Sequence, residues 1–140
     1  MLQQLAQRYY LEGNYNCAEA VLRAANDAYA LGLSQDALRL AGGFGGGMGA
    51  GETCGALSGA IMALSALLIE DRAHVTPDFR ETCAAFLARF GEAFGSLVCR
   101  DIKPRCVREG CRCLEAVLRA AALLEDFLAD LPPKDGDASA

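Results

Sequence analysis

The sequence lacks tryptophan, has one histidine and contains no Cys-x-x-Cys motif. Zinc-finger and thioredoxin-like sites use that motif, so a metal or redox centre here must be assembled from distant segments. Triad-type nucleophilic catalysis has little support, because the sequence has no second histidine and His74 is expected in an exposed loop. Basic residues number 13 against 18 acidic residues. We therefore expect no nucleic-acid partner, since such proteins normally carry a basic face.

Long apolar runs are also scarce. The longest uncharged stretch, residues 53–69, is at the lower length limit for a membrane span, and its glycine, alanine and serine content dilutes its hydrophobicity. A buried helix is the better interpretation, so no membrane span is predicted. The N-terminus lacks the charged-then-apolar order of a secretory signal. We therefore expect the protein in the reducing cytosol, where persistent structural disulfides are rare.

The 140 residues are 53% hydrophobic and 22% charged, which favours one folded domain over a disordered chain. Apolar residues recur at helical spacing, and no segment alternates convincingly as a strand would. The sequence therefore predicts an all-α, compact single-domain bundle of five or six short helices. A helical, cysteine-rich domain is expected over residues 1–131. The polar tail, residues 132–140, is expected to be disordered.

Capping signals predict where several helices begin: Asn16 with Glu19 as a capping box, Ser34, Thr53, and Thr76 before Pro77. A glycine-rich loop, Gly42–Gly51, holds seven glycines in ten residues and precedes the central helix. In that helix Gly55, Gly59 and Ala63 form a stripe that lets a neighbouring helix approach closely. The chain from Ser96 to about Gly110 is predicted to be an irregular connection.

The seven cysteines are the unusual feature, because an odd number cannot be fully paired within one chain. Asn16-Cys17 and Thr53-Cys54 each place a cysteine directly after an N-cap residue type. There, free backbone N–H groups and the positive end of the helix dipole favour a thiolate. A helix end contributes only about 0.3–1 kcal/mol, so a second cysteine, a cation or a metal must help. The alternative for either residue is a small buried hydrophobe.

A second cysteine group consists of Cys99, Cys106, Cys111 and Cys113. Four arginines lie among these cysteines and would stabilise thiolates, although solvated surface arginines are the alternative: Arg100, Arg105, Arg108 and Arg112. The spacing Cys111-Arg112-Cys113 is too short for a standard zinc knuckle. Cys83 lies in an apolar helical stripe and is assigned to the core.

The glycine-rich loop does not support nucleotide binding, because no strand precedes it and no Gly-Lys-Ser/Thr follows. We interpret the loop as a mobile segment or as one that approaches a cysteine centre closely. Glu52 and Thr53 then close it onto the central helix. The role of Glu52 is open between a surface acid and a proton relay.

Four segments carry a resemblance to a known family: Gly13–Val21, Glu52–Gly59 after the glycine run, Phe94–Arg100, and Cys113 ahead of Val117. In these segments the chain resembles the C_GCAxxG_C_C family of redox-active, four-cysteine helical proteins. The central motif here reads Cys-Gly-Ala-x-x-Gly. The resemblance implies that Cys17, Cys54, Cys99 and Cys113 are the functional cysteines, with Cys111 as the alternative to Cys113.

Three functions are open from the sequence. In the first, these cysteines form a redox site that works by thiol/disulfide exchange or electron transfer with an unidentified redox partner. The resemblance also allows the second, in which the same cysteines hold an iron–sulfur cluster or another soft metal. In the third, the cysteines only pack, and small-residue faces support a homodimer. Thiol-disulfide oxidoreductase and electron carrier are both candidate activities, and no specific reaction follows.

Overall fold

The computed structural model describes residues 1–132, and the regular structure in that range is helical. Its seven α-helices are α1 (Leu2–Gln7), α2 (Cys17–Ala28), α3 (Gln35–Arg39), α4 (Gly55–Leu68), α5 (Phe79–Phe94), α6 (Cys99–Cys106) and α7 (Leu114–Asp130). The prediction of an all-α protein is confirmed, with one helix more than the upper predicted number. Of the tail that was expected to be disordered, residues 133–140 lie outside the described range.

α2 and α4 pack against each other at the centre of the molecule, and α1 and α7 pack beside them. The small-residue stripe on α4 explains how closely the two central helices approach. A Cβ atom added to Gly59 would lie 2.5 Å from the carbonyl oxygen of Ala18 in α2. Ala63, the next member of the stripe, is fully buried. The predicted close approach is confirmed, and it holds the N-terminal ends of α2 and α4 side by side.

The predicted capping box fixes the first residue of α2. The Asn16 side chain accepts a hydrogen bond from the Glu19 N–H at 3.0 Å, and the Asn16 N–H donates to the Glu19 carboxylate at 3.0 Å. The Asn16 side-chain amide also donates to the Gly42 carbonyl at 2.9 Å, which ties the glycine-rich segment to this helix end. Cys17 is therefore held in the first turn of α2.

Two predicted helix starts are wrong. Thr53 is not an N-cap, because it forms an antiparallel bridge with Val98, and Cys54 is the N-cap of α4 instead. Thr76 does not cap α5 either, because its hydroxyl donates to the Arg72 carbonyl and closes the preceding turn. The N-cap of α5 is Asp78, which has a left-handed backbone with φ of 59°.

The irregular connection predicted from Ser96 to about Gly110 is also wrong, because it contains α6. Before this helix, the Ser96 hydroxyl accepts a hydrogen bond from the Val98 N–H and donates one to Asp101 in the first turn. α6 is short, contains Pro104 and buries only Ile102 and Cys106 among its residues. With few apolar residues and an internal proline, the segment did not indicate a helix from its sequence.

The glycine-rich segment is not regular helix, as expected. A 3₁₀ turn spans Leu40–Phe44, and a wider turn spans Gly47–Gly51. In the second turn Met48 and Gly49 have left-handed backbones, with φ of 59° and 72°. Within residues 1–132, none of the helices combines the length and the apolar character that a membrane span requires.

Candidate functional site

The four candidate cysteines lie at the N-terminal ends of four helices. Cys17 and Cys99 are the first residues of α2 and α6, and Cys54 and Cys113 are the N-caps of α4 and α7. Helix N-termini present unpaired N–H groups and the positive end of the helix dipole. At such an end the helix dipole favours a thiolate and acts in opposition to burial.

The same four thiols influence one another electrostatically. Burial is the largest cause of the raised pKa of Cys54, Cys99 and Cys113, and a charge on Cys17 raises all three further. A charge on Cys99 also raises the pKa of Cys54 and of Cys113. Cys17 therefore influences the ionisation of each of the other three thiols.

Cys54 is the most buried of the four, with 5% of its surface exposed. Burial raises its pKa to about 11, from an ordinary 9.0, and the charges of Cys17 and Cys99 act in the same direction. The N–H groups of Leu57 and Ala56, in the first turn of α4, lower the pKa in opposition. Burial prevails, so Cys54 is a protonated thiol at neutral pH.

Gly55 places the Cys17 sulfur atom against the start of α4. A Cβ atom added to Gly55 would lie 2.4 Å from Cys17 Sγ and 2.8 Å from the Phe44 carbonyl oxygen. Any larger residue would therefore displace the sulfur or the 3₁₀ turn. The glycine in the Cys-Gly-Ala-x-x-Gly motif thus allows Cys17 to lie beside the residue that follows Cys54.

Two antiparallel segments bring the starts of α4 and α6 together. The Cys54 N–H donates to the Leu97 carbonyl at 2.8 Å, and the Cys99 N–H donates to the Glu52 carbonyl at 2.6 Å. Gly47 packs against this pair, since an added Cβ would lie 2.8 Å from Cys99 Cβ and 2.4 Å from the Glu52 nitrogen. The glycine-rich segment therefore approaches the cysteine site closely, which was one of its two sequence interpretations.

Glu52 forms an exposed ion pair with Arg100, the residue after Cys99. The Arg100 guanidinium also donates to the Gly51 carbonyl at 3.2 Å and to the Ala50 carbonyl at 3.4 Å. These contacts fasten the wide turn to the start of α6. Glu52 is consequently a surface acid with a structural contact, and Arg100 neutralises a carboxylate.

Tyr10 is a site residue that the sequence reasoning missed. Its hydroxyl accepts a hydrogen bond from the Cys113 N–H at 3.0 Å, and the residue is 4% exposed. Burial raises the Tyr10 pKa, and charges on Cys113 and Cys17 raise it further. The Arg112 guanidinium lies over the Tyr10 ring, 3.9 Å from its centroid, and donates to the Tyr10 carbonyl. No local sequence signal could have joined residues so far apart in the chain.

The other cysteines have different surroundings. Cys111 lies in the turn before α7, where its N–H donates to the Arg108 carbonyl at 3.3 Å, whereas Cys113 caps the helix itself. Cys83, which was assigned to the core, is only half-buried in α5. Its position near the exposed start of that helix explains the difference. His74 lies, as expected, in an exposed turn.

Whether a metal ion fits this protein depends on how the candidate side chains are arranged. Among residues 1–132, no group of three or more cysteine, histidine, aspartate or glutamate side chains is arranged to hold a metal ion. The four cysteines, as they are placed here, do not fit an iron–sulfur cluster or another soft metal. All seven cysteines lie in the described range and are free thiols.

Fold and site together define a class: an all-α protein in which four cysteines from distant segments lie at helix N-termini. Residues 15–127 match the model of the family described as "Putative redox-active protein (C_GCAxxG_C_C)". The match covers most of the chain and includes every cysteine, so the chain belongs to this family. Comparisons with curated proteins and with solved structures gave no significant match.

Proposed function

We propose that Cys17, Cys54, Cys99 and Cys113 form a thiol redox site, the helix-end cluster, which reduces disulfides of a partner protein or small molecule. The observation that supports this proposal is the position of all four cysteines at helix N-termini. Thiol/disulfide exchange passes through thiolates, and the positive end of a helix dipole partly offsets the cost that burial imposes on a thiolate.

The reaction consists of two exchange steps. The Cys17 thiolate attacks one sulfur of the substrate disulfide, forming a mixed disulfide and releasing one substrate thiolate. A second thiolate of the helix-end cluster then attacks Cys17 Sγ, closes an intramolecular disulfide and releases the other substrate thiolate. The substrate gains two electrons and the cluster loses two. Cys17 is suited to the shared position because its charge acts on each of the other three thiols.

The raised pKa values favour a reductant. A strongly oxidising disulfide is one whose reduced form is stabilised as a thiolate. Burial instead raises the pKa of Cys54, Cys99 and Cys113, so their thiolates are not stabilised in this way. The dithiol form of the cluster therefore gives up its electrons more readily than the dithiol of a strong oxidant.

Disulfide mapping tests the proposal. The reduced protein is exposed to glutathione disulfide, free thiols are alkylated in acid-quenched samples, and tryptic peptides are identified by mass spectrometry. At least one arginine separates each cysteine from the next, so every cysteine lies on its own tryptic peptide. We expect disulfides between members of the helix-end cluster.

Two variants make this experiment specific. Cys17→Ala should abolish most cluster disulfides, because the residue shared by the other three thiols is lost. Cys83→Ala, which changes a cysteine of α5 outside the cluster, should leave them unchanged. The proposal is wrong if the cluster cysteines of the folded wild-type protein stay reduced, or if they form disulfides equally well in Cys17→Ala.

A further inference from the structure

A tight connection brings the end of α6 next to the start of α7. Cys106 is the last residue of α6, and Cys113 is the N-cap of α7. Between them, Arg108 and Arg112 form an antiparallel bridge, in which the Arg108 N–H donates to the Arg112 carbonyl at 2.9 Å. The chain therefore reverses direction between the two cysteines. Cys106 precedes the bridge along the chain, and Cys113 follows it.

Cys106 is buried, and its surroundings differ from those of the helix-end cluster. It is 1% exposed, and it lies at a helix C-terminus, where the dipole disfavours a thiolate. Beyond the effect of burial, the Glu115 carboxylate, in the first turn of α7, raises the pKa of the Cys106 thiol. Burial is the largest cause of its raised pKa, followed by Glu115, and a charge on Cys113 adds to both. The Arg108–Arg112 bridge, which follows Cys106 and precedes Cys113, brings the backbones of the two cysteines together.

We propose that Cys106 is a fifth redox cysteine, which takes the disulfide from Cys113 and thereby frees the cluster partner of Cys113. The inference rests on the proposed function, because the cluster must first form a disulfide that includes Cys113. Its own support is the reversal at the Arg108–Arg112 bridge, which places a buried thiol and a carboxylate beside Cys113.

The transfer step needs no oxidant of its own. Starting from a Cys17–Cys113 disulfide, the Cys106 proton passes to Glu115 and then to solvent. The Cys106 sulfur attacks Cys113 Sγ, the Cys106–Cys113 bond forms, the Cys17–Cys113 bond breaks, and Cys17 leaves as a thiolate. One disulfide and one thiol give one disulfide and one thiolate, so the number of electrons is unchanged.

The electrostatics favour this direction of transfer. The thiolate that leaves is at the N-terminus of α2, whereas the thiol that is consumed is at the C-terminus of α6 and beside a carboxylate. The negative charge therefore appears at the N-terminus of α2, where the helix dipole favours it more than at the C-terminus of α6. The oxidised protein would rest with Cys17 free, ready to attack a second substrate disulfide.

A time course of disulfide mapping in the full chain tests the transfer. The reduced protein is mixed with glutathione disulfide, samples are quenched in acid at intervals, and tryptic peptides are analysed. Arginines at 105, 108 and 112 separate Cys106, Cys111 and Cys113 into different peptides, so their linkages are distinguishable. We expect a cluster disulfide of Cys113 first, and a Cys106–Cys113 linkage that replaces it later.

The matched variants are Cys106→Ala and Cys111→Ala, which remove cysteines on either side of the Arg108–Arg112 bridge. In Cys106→Ala the cluster disulfide of Cys113 should persist instead of being replaced. In Cys111→Ala the replacement should proceed as in the wild-type protein. Cys106 is buried, so its replacement could prevent folding. If Cys106→Ala does not fold, the wild-type time course alone decides the question.

The other outcomes separate the two proposals. Cluster disulfides without a Cys106–Cys113 linkage would overturn this inference and leave the proposed function intact. A Cys106–Cys113 linkage with no preceding cluster disulfide, and no cluster disulfide in Cys106→Ala either, would overturn both the transfer and the proposed cluster function. A Cys111–Cys113 linkage in place of Cys106–Cys113 would show that Cys111 is the partner and would also overturn the inference.

Discussion

Two regions of the molecule, the junction between α2 and α4 and the helix α5, each contain glycine and cysteine, but in different surroundings. Gly59 in α4 has no room for a Cβ, whereas a Cβ on Gly91 in α5 would make an ordinary contact, 3.7 Å from Leu97 Cδ2. Burial raises the pKa of both Cys54 and Cys83. The pKa of Cys54 also responds to two other thiols and to helix N–H groups. Neighbours from other segments, and not residue type, therefore distinguish the candidate site.

The largest contrast is expected from the same substitution in the two helices. Gly59→Ala should lower the free energy of unfolding by about 1–3 kcal/mol, because the new Cβ would lie 2.5 Å from the Ala18 oxygen and force α2 and α4 apart. Gly91→Ala should raise it by about 0.5–1 kcal/mol, because alanine is the better helix former. Urea unfolding of both variants measures the difference. Equal effects of the two changes would contradict the close packing described for the junction.

A substitution beside the cysteines tests whether the junction positions Cys17. Gly55→Ala should slow formation of cluster disulfides by about ten- to hundredfold, because the new Cβ displaces the Cys17 sulfur and reacting groups tolerate little misplacement. Gly43→Ala is the control, since nothing lies within 4 Å of a Cβ at that position. The rate of thiol loss with glutathione disulfide is the measurement. A normal rate in folded Gly55→Ala would show that the Cys17 position does not matter.

The pH dependence of alkylation should distinguish Cys54 from an ordinary thiol. Only thiolates react, and an acid with a raised pKa loses its proton at higher pH, so the Cys54 rate should still be rising at pH 10. At neutral pH the reaction should be about tenfold slower than that of a peptide thiol, because the lower thiolate fraction is partly offset by greater nucleophilicity. Peptide mass spectrometry after timed alkylation gives both rates. A Cys54 rate that levels off by pH 9 would contradict the pKa of about 11.

The smallest effect is expected from the tyrosine that the sequence did not indicate. Tyr10→Phe should lower the free energy of unfolding by about 1 kcal/mol and reduce the share of disulfides that contain Cys113, because the Cys113 N–H loses its acceptor. Tyr9→Phe is the matched control, since that hydroxyl donates to Asp27 on the surface. Thermal unfolding and disulfide mapping measure the two effects. If both variants keep the wild-type disulfides, Tyr10 does not position Cys113.

Much of the first half of the chain could be predicted because its signals are local. The capping box of Asn16 and Glu19, the Ser34 cap and the small-residue stripe of α4 each depend on residues within one helix or its first turn. The region after α5 could not be predicted in this way. α6 has a proline and few buried residues, and its start is held by hydrogen bonds that join residues 97 and 99 to residues 54 and 52.

The sequence by itself determined the all-α class, the cysteine positions at the starts of two helices, and membership of a redox-active family through its cysteine and glycine motifs. Those features depend on helical period and on spacing along the chain. Only the tertiary structure decided that Cys99 and Cys113 also begin helices and that Tyr10 contacts the site. It also decided that the chain reverses direction between Cys106 and Cys113. These relations depend on packing between segments far apart in the chain, which local patterns do not encode.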